Sequence, residues 1–192
     1  EYPIYATVRE SRTAITYCKN MMLGADEIRA QHFDVPGFFT IYTRYCQALR
    51  AARQMDYDDQ MVYAKTILEK HADVLTHFQD MFPYICVDEA QDTSKIQHAI
   101  IQLLARKTGN LFMVGDEDQS IYGFRAAYPE ALMRFGQTYP NARVLLMEEN
   151  YRSTPEILRL ADDFIRKNHG RHPKTIHPTR DSGAECALVT AA

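Results

Sequence analysis

The sequence predicts an α/β chain in which a parallel sheet is flanked by helices and a helical subdomain comes first. Three observations lead there. Up to Phe82, apolar residues recur at the three- and four-residue spacing of helices. Beyond Phe82, short apolar runs of strand length alternate with amphipathic stretches, the rhythm of strands joined by crossover helices. Three of these runs end in polar, mostly acidic residues, and parallel sheets bind their ligands at the carboxyl ends of strands.

The elements follow in order. Turns are expected at Gly24 and at Pro36-Gly37. Ile41, Tyr45, Cys46 and Leu49 mark one helix, and Met61, Ala64, Ile67 and Leu68 a second. Val74, Leu75 and Phe78 carry the pattern to the break at Pro83. Tyr84 to Val87 is the first strand. Ile96, Ile100, Leu103 and Leu104 form one face of a helix that stops around Thr108-Gly109-Asn110. Leu111 to Val114 is the second strand. Pro129 opens a short helix through Leu132 and Phe135, Tyr139-Pro140-Asn141 turns the chain, and Val144 to Met147 is the third strand. Ser153-Thr154-Pro155-Glu156 starts another helix, with a capping hydroxyl, a first-turn proline and an acid at the positive end of the dipole. Ala187 to Thr190 reads as the beginning of a further strand.

Composition narrows the function. With 46% hydrophobic and 24% charged residues in 192, the chain is neither disordered nor low-complexity. Lys+Arg 22 against Asp+Glu 25 leaves a net charge of -3, so any nucleic-acid contact must be local rather than a global basic field. Residues 152–180 do carry an excess of Lys and Arg over Asp and Glu, and read as a linker. Four widely spaced cysteines, Cys18, Cys46, Cys86 and Cys186, predict reduced thiols. No apolar run reaches membrane-spanning length and no signal pattern is present, which predicts a soluble cytoplasmic protein with no membrane partner. Because the chain begins at Glu1, it is expected to be a piece of something longer.

Three stretches carry chemistry. In Ile85-Cys86-Val87-Asp88-Glu89-Ala90-Gln91-Asp92, a strand ends in two carboxylates. The first suits the hydration shell of magnesium, a cation that prefers hard oxygens, and the second can orient or deprotonate an attacking water. Alone the pattern is equally that of a strand end with solvated acids. From Gly115 to Arg125 an acid cluster, an amide, two aromatics and an arginine crowd together; Gln119 can sense a phosphate and Phe124 can stack on a base. In Glu148-Glu149-Asn150-Tyr151-Arg152-Ser153, Arg152 stands ahead of a helix start, where an arginine can reach a transferring phosphoryl group, and Tyr151 can stack on a nucleobase.

In this order and spacing the three stretches resemble motifs II, III and IV of superfamily 1 helicases of the UvrD/Rep/PcrA group. The family patterns DExQD, GDxDQSIYxxRGA and NYRS correspond to Asp88 to Asp92, Gly115 to Ala127 and Asn150 to Ser153. Asp56-Tyr57-Asp58-Asp59 resembles the group's DFDD element, with Gln60 in place of leucine, and Ala126 stands where the family has glycine. The resemblance covers residues 41–190 and implies an incomplete RecA-like P-loop NTPase motor domain plus a helical subdomain. Residues 1–56 would belong to an inserted helical region, 57–150 to the second half of the first motor domain, and 151–192 to a linker and the start of the second. ATP and Mg2+ would be the cofactors, and single-stranded DNA and ss/ds junctions the partners. The resemblance makes Asp88 the magnesium-side carboxylate, Glu89 the general base, and Gln119 and Arg152 contacts to the terminal phosphate. It places Tyr151 on adenine, and Tyr122, Phe124 and Arg125 on the DNA side.

One part is missing. None of the 8 glycines is followed by lysine, so the glycine-rich loop ending in Gly-Lys that cradles phosphates is absent. The chain by itself is therefore expected to be inactive. The resemblance also implies that the strand leading into that loop lies between the strands of motifs II and III. Those two strands would then either pair with each other or accept a strand from a second molecule. His169, His172, His177 and Cys186 fit no standard zinc spacing. The competing functional reading is a degenerate helicase-like module that binds DNA or protein without hydrolysis.

Overall fold

Helix α1 (Pro3–Asn20) is followed by α2 (Ala25–Ala30), α3 (Phe38–Ala52), α4 (Tyr57–Lys70) and α5 (Ala72–Met81). The computed structural model describes residues 3–120, 123, 126–168 and 171–187. The expected turns at Gly24 and Pro36-Gly37 separate the first three helices, and Gly37 takes a left-handed backbone, φ 68, that favours glycine. Apolar residues from α1, α2, α3 and the α2–α3 connection meet in one core: Ala14, Ile15, Cys18, Ile28, Val35 and Phe38.

A polar latch lies beside that core. The Lys19 side chain, 3% exposed, reaches Asp56 Oδ2 at 2.6 Å and Asp59 Oδ1 at 2.7 Å. The Tyr45 hydroxyl donates to the same Asp56 oxygen at 2.7 Å, and burial together with that bond pushes its pKa up to about 12. Asp58 accepts from Thr16 Oγ1 at 2.8 Å and from Asn20 Nδ2 at 2.7 Å. Asp56 also caps α4, accepting from the Asp59 amide at 2.7 Å. The Asp56-Tyr57-Asp58-Asp59 element thus ties α1 and α3 to the start of α4.

After α5 the chain changes to strand and crossover, as expected. Strand β1 (Ile85–Val87) leads through a 3-10 turn (Ala90–Asp92) into α6 (Lys95–Ala105), and β2 (Leu111–Met113) returns parallel to β1. Ile85 pairs with Leu111, Cys86 with Phe112 and Val87 with Met113. Backbone bonds extend the ladder at both ends, from Ile85 N to Asn110 O at 2.9 Å and from Ala90 N to Val114 O at 2.9 Å. Of the two outcomes expected for these strands, the first is found: β1 and β2 pair with each other. The ladder is continuous from one connection to the other, which leaves no opening for a third strand. Gln79 on α5 donates to Leu103 O on α6 at 2.8 Å, locking these two helices together.

The chain divides into two compact units, Glu1–Leu132 and Met133–Ala192. The sequence boundary after residue 56 falls inside the first. In the second lie α8 (Phe135–Thr138), β3 (Glu149–Asn150), α9 (Pro155–Ile165) and β4 (His177–Pro178), while α7 (Glu130–Met133) spans the division. The single helix expected from Pro129 through Phe135 is two, parted at Arg134. The third strand expected at Val144 to Met147 does not form; a two-residue strand follows it at Glu149–Asn150, parallel to β4. An apolar run becomes a strand only where a neighbour takes up its backbone groups and covers its side chains. Among the described residues none does so here, and Met147 is 85% exposed. The further strand expected at Ala187 to Thr190 lies almost wholly outside the described residues. Among the described residues, no helix is long and apolar enough to cross a membrane.

Candidate active site

The first two motifs meet at the carboxyl ends of β1 and β2. Asp88 and Glu89 follow β1 directly, and both are exposed. Asp88 Oδ1 accepts from the Glu89 amide at 2.9 Å. Glu89 itself has a left-handed backbone, φ 50 and ψ 42, which an ordinary side chain adopts only at a cost. The tight corner turns the chain into the 3-10 turn and lets the Ala90 amide reach Val114 O.

Gln91 joins the two loops. It is 1% exposed, and its Nε2 donates to Glu89 Oε2 at 2.7 Å while its Oε1 accepts from the Asp116 amide at 3.0 Å. Ser120 Oγ donates to Gln91 O at 3.2 Å. Asp116 in turn accepts from Gln119 Nε2 at 2.7 Å, so a hydrogen-bonded path runs from Glu89 through Gln91 and Asp116 to Gln119. The sequence motif alone assigns Gln91 no role. The signal available was a buried-type amide two residues after the strand-end acids, which only spatial pairing with Asp116 makes meaningful.

Close approach explains the glycine that opens motif III. A Cβ on Gly115 would stand 2.7 Å from Gln91 Oε1, 3.1 Å from Leu132 Cδ2 and 3.2 Å from the Ala90 amide nitrogen. Gly115→Ala is expected to break the Gln91 bridge and to cost about 1–3 kcal/mol, as overpacking typically does. Thermal unfolding checks it, and an unchanged midpoint would show that the two loops separate freely.

Behind the loop, buried His98 on α6 lies 2.6 Å by its Nε2 from Thr93 Oγ1, which donates to Ala90 O at 2.7 Å. Burial holds the His98 pKa below its ordinary value, against an opposing hydrogen bond involving Ala90. The end of motif III returns to this region: Tyr128 N donates to Thr93 O at 2.9 Å, and Ser94 bridges Ala127. Ala126, the departure from the family's glycine, is 1% exposed and keeps a left-handed backbone, φ 61. The conformation that glycine adopts freely is thus held here by alanine, at about 1–2 kcal/mol.

The donor set fits magnesium. Asp88 and Glu89 offer hard oxygens at a strand end, and Asp92 buries an Oδ1 with no hydrogen-bond partner. Magnesium takes one or two carboxylates and completes its shell with water and phosphate oxygens. Among the described residues, no three His, Cys, Asp or Glu gather into a site enclosed by protein ligands.

Tyr151 and Arg152 belong to the second unit, where Asn150 shapes their loop. Its Oδ1 accepts from the Arg152 amide at 3.0 Å and the Ser153 amide at 2.8 Å, and its carbonyl accepts from the Thr179 amide at 3.0 Å. Arg180 Nη1 donates to Arg152 O at 2.9 Å. This leaves Tyr151 76% exposed, its ring open to solvent. The Thr154 hydroxyl does not cap α9 as expected. Glu156 accepts from the Gly183 amide at 3.0 Å instead, and chiefly that bond lowers its pKa to about 2. Tyr122, Phe124 and Arg125 lie outside the described residues.

Residues 5–140 match the family described as UvrD/REP helicase N-terminal domain. An ATP-dependent DNA helicase PcrA of Staphylococcus epidermidis is 37% identical over 172 residues, 88% of this chain and 24% of that protein. One from Staphylococcus aureus is 40% identical over 144 residues, 75% of this chain and 20% of that protein. The chain therefore spans about a quarter or less of the length of these relatives.

Proposed function

The chain belongs to the UvrD/REP helicase family, and from that premise we propose that it is part of an ATP-dependent DNA helicase that couples Mg-ATP hydrolysis to movement on single-stranded DNA. The observation that carries this reading is the hydrogen-bonded path from Glu89 to Gln119, which connects a strand-end carboxylate to an exposed amide across two loops. Such a path suits a site that must position a water and register a phosphate together.

In this reading Asp88 holds magnesium through water, and Glu89 takes the proton of the attacking water. Gln119 and Arg152 contact the terminal phosphate, and the exposed Tyr151 ring stacks on adenine. The metal, when bound, neutralises charge on the phosphate oxygens. Tyr122, Phe124 and Arg125 face single-stranded DNA, with ss/ds junctions as the working substrate. Residues 1–56, 57–150 and 151–192 correspond to the inserted helical region, the second half of the first motor domain, and the linker with the start of the second. Without a Gly-Lys phosphate cradle, the 192-residue chain is inactive alone.

The DNA side is tested at Phe124. Stacking on a base is worth about 1–3 kcal/mol, so Phe124→Ala in the full-length protein should weaken single-strand affinity roughly 5- to 150-fold or uncouple it from ATPase stimulation. The measurement is DNA titration followed by ATP turnover with and without DNA. Normal DNA binding with lost stability would instead assign Phe124 to packing.

A further inference from the structure

We propose that Gln91 is a positioning residue that aims the Glu89 carboxylate and sets its orientation by the state of the Gln119 loop. The proposal rests on the reading of Glu89 as the base. The amide of Gln91 cannot be turned over: the Asp116 N–H only donates, so Oε1 must face it, and Nε2 must then face Glu89. One oxygen of Glu89 is thereby fixed at 2.7 Å from Gln91, leaving the other to act on water. Burial to 1% exposure denies the side chain other arrangements, and the Ser120 hydroxyl, donating to the Gln91 main-chain carbonyl, ties the backbone of the two loops together beside it. The Glu89 side chain is exposed, and the Gln91 amide holds one of its carboxylate oxygens. Any movement of the Asp116–Gln119 turn moves the Asp116 amide, and through Gln91 it moves the base. The loop that registers the phosphate and the group that activates water are thus one unit.

The test is a double-mutant cycle in the full-length protein. Gln91→Glu keeps an acceptor for the Asp116 amide but replaces the donor to Glu89 by an oxygen. It should lower kcat for DNA-stimulated ATP hydrolysis at least about tenfold, within the roughly 10²–10⁴-fold that a positioned base supplies, with KM for ATP within about twofold. Gln91→Met, uncharged and of similar length, is the second probe and should behave alike. In a Glu89→Gln background neither change should lower kcat further, since the group being positioned is gone. A kcat within twofold of wild type for both Gln91 variants overturns the proposal, as does an equal loss in the Glu89→Gln background. Failure of the underlying reading looks different: Glu89→Gln alone would then leave turnover intact.

Discussion

Glu89→Gln in the full-length protein should lower ATP turnover by about 10²–10⁴-fold, the range a positioned base contributes, while ATP affinity stays within a few-fold. The substitution is nearly isosteric. Its amide oxygen still accepts from Gln91 Nε2, so the path to Asp116 and Gln119 survives. What is lost is the capacity to take a proton from water. DNA-stimulated ATP turnover beside equilibrium binding of Mg-ATP makes the comparison. Unchanged turnover removes Glu89 from the chemistry, and a parallel loss of ATP affinity makes it a binding group.

Lys19→Met should destabilise the first unit by about 3 kcal/mol, because it leaves Asp56 and Asp59 partly buried without their cation. In a unit of this size that is a fall in Tm of roughly 10 °C. Burial by itself would pull the Lys19 pKa down, but the hydrogen bonds and charges of Asp56 and Asp59 outweigh it and hold it above its ordinary value. For Asp56, burial pushes upward, and the bonds from Lys19, the Asp59 amide and Tyr45 outweigh it and hold the pKa below the ordinary value. The raised Lys19 contributes stability below the ordinary ammonium value and loses it as pH rises through the raised one. The lowered Asp56 contributes above the ordinary carboxylate value and loses it as pH falls through the depressed one. The gap between wild type and variant is therefore widest from about pH 4 to pH 10. Denaturant unfolding at acid and neutral pH checks it; a gap independent of pH would assign the loss to packing alone.

Much of the fold was legible because its signals are local. The spacing of Ile41 to Leu49 and of Met61 to Leu68 falls within α3 and α4, and the short run ending at Val87 is β1. Helices are written in nearest-neighbour periodicity, and strand-end acids stand next to their strand in the sequence. The motif resemblance is equally a property of the chain order, and it marked Asp88, Glu89, Gln119, Tyr151 and Arg152 without coordinates. Val144 to Met147 shows the limit: its composition is that of a strand, but whether a strand forms depends on a neighbour elsewhere in the chain.

The sequence by itself determined helices α3 to α6 and α9, the strands β1 and β2, the motifs and the absence of a Gly-Lys loop, since each depends on residue type and spacing. Helices α1 and α2 carried no such signal. Only the tertiary structure decided that β1 and β2 pair without an intervening strand, that Asp56 and Asp59 serve Lys19, and that Gln91 joins Glu89 to the Asp116 loop. Gln91 and Asp116 are separated by the whole of α6 and β2 along the chain. A hydrogen bond between them has no local signature, and it forms only because the parallel pairing of two strands brings both loops to the same edge.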